Sequence, residues 1–340
     1  MNDVTPSVTF SFVVPVYNEQ EGLEAFYARL TAAAEGLGEP YEIIFVNDGS
    51  TDETGAILRR LAGEDIRVRA VEFSRNFGHQ LALTAGYDHA GGRAVISLDG
   101  DCQHPPELIG QLVARWREGF EVVYTVRRDT EGISSIRRAI GRGVYRLIAA
   151  VSGMDLTDQA DFRLLDRKAL DALKTHREQA RFLRGLVRQV GFRQTALPYV
   201  AAQRATGVSR YPLKQLLGMA TAGVFNFSLA PLRLAAVLGG LMLAAAATYF
   251  LVCLVLWPLG LSPAGMVHLW AFVTGMFGVN FLLLGVVGEY VGRTFEQAKG
   301  RPLYIVRETI GFATAPPPPA DERAADAAED DDRQRYSVFT

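Results

Sequence analysis

The chain has 340 residues, enough for one sizeable catalytic domain with further elements attached. Its net charge of −2 argues for neither a nucleic acid nor an acidic ligand, and much of its 49% hydrophobic content is gathered between Leu232 and Tyr290. Cys102 and Cys253 lie far apart in unlike settings, which argues against a disulfide framework; the polar start carries no basic-then-apolar leader, so the first half is expected in the cytoplasm.

In chain order, short Val-, Ile- and Phe-rich runs predict strands at 9–16, 41–47, 68–74, 94–99 and near 121–126. Helical patterns fall between them, near 19–35, 51–62, 77–90 and 105–118. The last of these opens on Pro105 and Pro106, which suit a first helical turn. Such alternation implies an α/β fold with a largely parallel sheet covered by helices on both faces. Ligands of such sheets bind beyond the carboxyl ends of the strands.

Two later stretches are amphipathic. Residues 134–151 mix Arg137, Arg138, Arg142 and Arg146 with apolar side chains, and 211–229 follow a basic start at Arg210 and Lys214. Both are expected to lie in a membrane interface, with a surface helix packed on the sheet as the plainer alternative. Leu234 to Trp257 and Ala264 to Gly288 then give 24 and 25 residues without a charge. Each reaches about 36 Å, enough to cross a hydrocarbon core. Arg233 precedes the pair, Arg293, Lys299 and Arg301 follow it, and the joining loop has no charge. That pattern predicts a two-span hairpin, over about 234–257 and 264–290, with both termini cytoplasmic. Small residues such as Gly239, Gly240 and Gly275 would permit close helix contact and self-association, so a homo-oligomer is expected. Residues 303–312 read as a short strand or an interfacial segment. From Gly311 to Thr340 seven acidic residues face three arginines, a balance of −4 that leaves +2 elsewhere. With Pro316 to Pro319 this composition predicts a disordered tail.

The chemistry gathers at strand ends. Leu98-Asp99-Gly100-Asp101-Cys102-Gln103 closes an apolar strand with two carboxylates one residue apart. They point the same way on extended backbone and can share a hard divalent cation that also bridges substrate phosphates. A lone Asp-x-Asp is more often a solvated turn; its place after a buried strand favours the site. Phe45-Val46-Asn47-Asp48-Gly49-Ser50-Thr51-Asp52 and Val13-Val14-Pro15-Val16-Tyr17-Asn18-Glu19 bring further polar loops to strand ends, with Thr51 or Asp52 expected to cap a helix.

These motifs, with Ser74-Arg75-Asn76-Phe77-Gly78-His79-Gln80, His104-Pro105-Pro106-Glu107, Ala160-Asp161-Phe162-Arg163-Leu164 and Gly207-Val208-Ser209-Arg210-Tyr211, give a clear likeness. The chain resembles the polyprenyl-phosphate glycosyltransferases of the dolichyl-phosphate mannose synthase type, with the layout of the bactoprenol glucosyltransferases. The likeness covers about residues 8–312. It implies a GT-A, Rossmann-like catalytic domain over 1–229 that includes the interfacial helices. Two transmembrane helices would follow within 230–292, then a cytoplasmic juxtamembrane segment at 293–312 and the acidic tail at 313–340. The enzyme implied is an inverting transferase of the plasma membrane, acting at the cytoplasmic face.

The resemblance also implies roles. Pro15, Tyr17, Glu19, Asp48, Asp99, Gly100 and Arg210 would meet the nucleotide-sugar. Asp99, Asp101 and Gln103 would hold Mg²⁺ or Mn²⁺. Arg127, Arg137, Arg138 and Arg204 would grip the acceptor phosphate. Asp101 and Asp161 would be the catalytic acids, Asp161 as the family's candidate base, with Arg163 as its orienting partner or a structural ion pair. His104 stands where the family usually has Asp, Gly141 replaces a usual Ser, and Asp129-Thr130 replaces a commonly basic pair. A phosphate monoester has its second pKa near 6, so the acceptor is largely ionised at neutral pH and base catalysis matters less. Asp161→Asn is therefore expected to keep more activity than Asp101→Asn at pH 8. UDP-glucose and undecaprenyl phosphate are the favoured substrates, with GDP-mannose as the other donor considered. A processive polysaccharide synthase is the competing enzyme class, although no Gln-x-x-Arg-Trp run is found. A non-catalytic nucleotide-sugar-binding membrane partner is the third.

Overall fold

The computed structural model describes residues 8–101, 104–128, 159–179, 181–200, 230–256, 258 and 265–312. The amphipathic stretches 134–151 and 211–229 and the tail 313–340 lie outside the described residues.

The first half alternates as the patterning predicts: β1 (Phe10–Val16), α1 (Leu23–Glu35), β2 (Tyr41–Asn47), α2 (Thr54–Glu64), β3 (Val68–Phe73), α3 (His79–His89) and β4 (Ala94–Ser97). A 3-10 turn (Pro106–Leu108) then runs into α4 (Ile109–Arg117), followed by β5 (Val122–Arg128). Residues not assigned from the sequence pattern add β6 (Gln159–Asp166), α5 (Arg167–Lys174), α6 (Leu183–Gln189) and β7 (Gln194–Val200). Two long helices, α7 (Ala230–Leu256) and α8 (Gly265–Ala298), precede β8 (Val306–Ile310).

All eight strands form one sheet in the order β7-β5-β6-β4-β1-β2-β3-β8. Its centre is parallel, but β6 runs antiparallel between β4 and β5, and β8 antiparallel along β3, so the sheet is mixed. Every residue of β1 and β2 is buried, as strands covered on both faces require. Phe10, Phe12 and Val14 pack against α1, α2 and α4 on one face. Val13, Ile44 and Val71 pack against α3, α5 and α6 on the other. Gly86 allows α3 its close seat, because a Cβ there would come within 2.1 Å of Val13 Cγ1.

Pairing of β4 with β1 ends at Val13, while β1 continues beside β2 to Val16. Pro15, which has no N–H to donate, therefore lies where β1 has lost its neighbour on that side. Two helices start later than the pattern predicts, at Leu23 and Thr54, because the preceding residues lace two loops together. Asn18 takes a left-handed φ of 55°. Its Oδ1 accepts the Thr51 N–H, Thr54 Oγ1 accepts the Glu19 N–H, and Asp52 accepts the Gln20 and Thr54 N–H groups.

The two long helices match the expected hairpin in place and composition. Large apolar side chains stand exposed along both, including Leu243, Phe250, Phe281 and Leu282, each near 70%. Both are long and apolar enough to cross a membrane. Tyr249 stacks on Phe272 between them, with centroids 5.0 Å apart. Helix α8 runs past the expected end of its span to Ala298, where it meets the catalytic domain. Gln297 accepts the Gln179 N–H at 2.9 Å and donates to Arg177 O, and Gln179 Nε2 donates to Arg301 O. Of the two readings for 303–312, the strand is the one observed. Tyr304 stacks on Phe73 and donates to Asp88, which also takes a two-pronged contact from Arg177.

Candidate active site

Four loops meet at the carboxyl ends of β1 to β4. Asp48, at the end of β2, is buried and turns back into the protein: it accepts the N–H of Phe77 at 2.7 Å and of Gly78 at 3.0 Å. Burial raises its carboxyl above the usual range, and the two amides only partly offset that. This contact needs the loops to touch. Gly49 has a φ of +69°, and a Cβ there would lie 2.4 Å from the Arg75 carbonyl carbon. Asp48 thus fixes the loop that launches α3 and its first residues, His79 and Gln80. Tyr17, which directly follows β1, is 46% exposed.

Asp99 and Asp101 follow β4 on a turn packed against β1; a Cβ at Gly100 would lie 2.8 Å from Val16 Cγ1. The Asp99 N–H donates to His104 Nδ1 at 2.9 Å, so that ring nitrogen is an acceptor. His104 is buried and stacks on Phe162. The departure from the family's usual Asp therefore has a visible job: the imidazole holds the acidic turn from beneath. Asp99 Oδ1 is buried without a hydrogen-bond partner and lies 3.6 Å from His79 Nε2. Among the described residues, no group of three or more His, Cys, Asp or Glu side chains is arranged to hold a metal. The orphaned carboxylate oxygen and a second carboxylate two residues on still fit a hard cation that takes its other ligands from water and substrate phosphates. Gln103, the third expected ligand, lies outside the described residues.

Asp161 begins the described part of the site on β6, and its carboxylate is filled. Oδ1 takes Arg163 Nη2 at 2.5 Å and Arg184 Nε at 3.2 Å. Oδ2 takes Arg184 Nη2 at 3.0 Å, with His79 Nε2 at 3.4 Å and Gln80 Nε2 at 3.5 Å. Its backbone is held as well, since Ser97 Oγ donates to Asp161 O and is itself bonded by Tyr87. Burial works to raise this carboxyl, but Arg184, the His79 hydrogen bond and Arg163 hold it well below the usual range. Burial conversely disfavours the His79 imidazolium, yet Asp99 and Asp161 outweigh it and push that group up to about 9. With 40% of the His79 side chain accessible, solvent screens part of this attraction.

Arg163, 1% exposed, is an orienting partner and a buried ion pair at once. Arg184 and the bridging place of His79 were not legible in the sequence. Arg184 sits in a seven-residue helix whose pattern does not separate it from Arg188. Of the expected acceptor-phosphate residues, Arg127 lies on β5 in register with Tyr199. Because β5 and β4 both run antiparallel to β6, Arg127 is at the same end of the sheet as Asp99. Arg137, Arg138, Arg204 and Arg210 lie outside the described residues.

A parallel-centred sheet, loops gathered at the carboxyl ends of its strands, and paired acids on the turn after β4 define the GT-A class of nucleotide-sugar transferases. A profile of the family "Glycosyl transferase family 2" matches residues 11–173. The chain is 43% identical over 309 residues to an uncharacterized glycosyltransferase of Bacillus subtilis, covering 89% of this chain and 95% of that one. It is 34% identical over 302 residues to a prophage-derived bactoprenol glucosyl transferase of Shigella flexneri, covering 88% and 97%. It is also 34% identical over 316 residues to an undecaprenyl-phosphate 4-deoxy-4-formamido-L-arabinose transferase of Salmonella paratyphi A, covering 91% and 96%. The chain belongs to glycosyl transferase family 2, among its polyprenyl-phosphate glycosyltransferases. It is a glycosyltransferase, and its two apolar helices fit a membrane-associated protein.

Proposed function

We propose that the protein transfers a hexose, glucose in the favoured case, from a nucleotide-sugar to a polyprenyl phosphate, with inversion, at the cytoplasmic membrane face. The observation that supports a lipid acceptor is how the two long apolar helices join the site. The chain leaving α8 reaches the sheet at Ser74, whose N–H donates to Ile305 O at 3.0 Å. Ser74 opens the loop that Asp48 holds and that leads into His79. A site tethered so near a bilayer suits an acceptor whose tail never leaves the lipid. The relatives that act on bactoprenol or undecaprenyl phosphate support the same reading, and undecaprenyl phosphate with UDP-glucose is the favoured pair.

In this reading Pro15, Tyr17, Glu19 and Gly100 meet the donor, Asp48 acts beside it by holding the loop of Phe77 and Gly78, and Arg210 approaches the donor from a later loop. Asp99, Asp101 and Gln103 would hold Mg²⁺ or Mn²⁺, which offsets charge developing on the departing diphosphate. Arg127, Arg137, Arg138 and Arg204 hold the acceptor phosphate in line. That phosphate is already largely ionised at neutral pH, so no residue needs to remove a proton from it. Asp161, with both oxygens engaged by cations, is suited to fixing charge in place and unsuited to accepting a proton.

The test is transfer from radiolabelled UDP-glucose to undecaprenyl phosphate by the detergent-purified full chain. Label is expected in the organic-extractable fraction, to be lost in excess chelator and reduced about 100-fold or more in D99A/D101A. Label in a polymer, or full turnover under chelation, would overturn the proposal.

A further inference from the structure

Three segments far apart in sequence close into a ring around one carboxylate. Gln80, in the first turn of α3, donates to Asp161 on β6 and accepts the Leu183 N–H at the start of α6 at 3.0 Å. The next residue of α6, Arg184, returns to Asp161 with both prongs of its guanidinium. Leu183, Leu186 and Val187 are buried and seat this short helix against the sheet. Arg163 bonds only one oxygen of Asp161, so by itself it leaves the carboxylate free to rotate. A two-pronged fork sets the plane as well as the position.

Resting on the transfer reaction above, we propose that Arg184 is a positioning residue, whose fork fixes the Asp161 carboxylate so that Asp161 holds the His79 ring beside Asp99. Arg184 acts through Asp161. The fork matters as much as the charge, so lysine is not an equivalent replacement. Misplacing the His79 ring by a fraction of an ångström lowers the rate of transfer, while the acidic turn, held independently by His104, keeps its place for the donor.

The experiment compares wild type, R184K and R184Q, with R188K as a control on the same helix, all as full chains in detergent. Thermal unfolding and calorimetric binding of the nucleoside diphosphate accompany kcat and the donor KM, measured below the lowest melting temperature. R184K is expected to lower kcat by about 10–100-fold with donor KM and Kd within about threefold of wild type, R184Q at least as much, and R188K not at all. In a D161N background R184K is expected to cost nothing more. Unchanged kcat in R184K, a loss confined to KM, or an undiminished cost in D161N would each overturn the proposal. Should D161N not fold, the split between kcat and KM in R184K decides. If wild type gives no lipid product, the acceptor reading fails and the same comparison is made on nucleoside diphosphate released to water; absence of both activities overturns both proposals.

Discussion

Burial pushes the Asp161 carboxyl up, and Arg184, His79 and Arg163 together reverse the sign. Its stability contribution is therefore present above the unfolded value of about 3.9 and is lost only as pH falls through the depressed folded value. Removing the charge leaves the Arg163 guanidinium buried without its carboxylate. D161N is expected to lose about 3–5 kcal/mol of stability in chemical denaturation, so its activity must be read per folded molecule. On that basis it should still exceed D101N at pH 8. His79 has the opposite sign. Its folded value is raised to about 9, so its contribution is complete below about 6.5 and disappears as pH rises through 9. In chelator, the melting temperature of wild type is expected to fall across that window, and that of H79Q to stay flat. A parallel fall in H79Q would remove His79 from this account.

Among the elements, β1 and β2 were legible because both faces are buried and the strands read as unbroken apolar runs. The acidic turn after β4 was legible for the same reason, since a buried strand pointed straight at it. Helix starts were not, because the left-handed turn at Asn18 and the lacing of 18–20 to 50–54 depend on contacts more than thirty residues away. Arg184 and His79 were hidden likewise: their shared partner Asp161 is 23 residues from one and far from the other along the chain. Gly86 shows how an element's seat carries to the site, since α3 presents His79 and Gln80 from its first turn. Alanine at 86 is expected to cost about 1–3 kcal/mol of stability through its clash with Val13. Adding V13A should recover part of that loss in melting experiments; a strictly additive double variant would show that the contact is not what sets the helix.

At the scale of the whole molecule, β8 belongs to the catalytic sheet although it follows the two long apolar helices. Arg59 and Arg307 pair with Glu308 and Glu72 across this edge, and Phe73 packs under Tyr304. A chain ending at residue 312 is expected to melt with wild type, whereas one ending at residue 298 loses the edge strand and should melt several degrees lower. Equal melting of the two would mean that the strand adds little.

The join at Ser74 and Ile305 also changes what concentration means for this enzyme. If the proposed lipid acceptor is right, a catalyst held at the bilayer by its two apolar helices would meet that lipid by lateral diffusion in two dimensions, so the governing variable would be mole fraction in the surface and not molarity in the tube. Diluting polyprenyl phosphate with inert phospholipid, at fixed total amount of both enzyme and acceptor, should slow turnover of the reconstituted protein in proportion, while adding buffer should leave it unchanged.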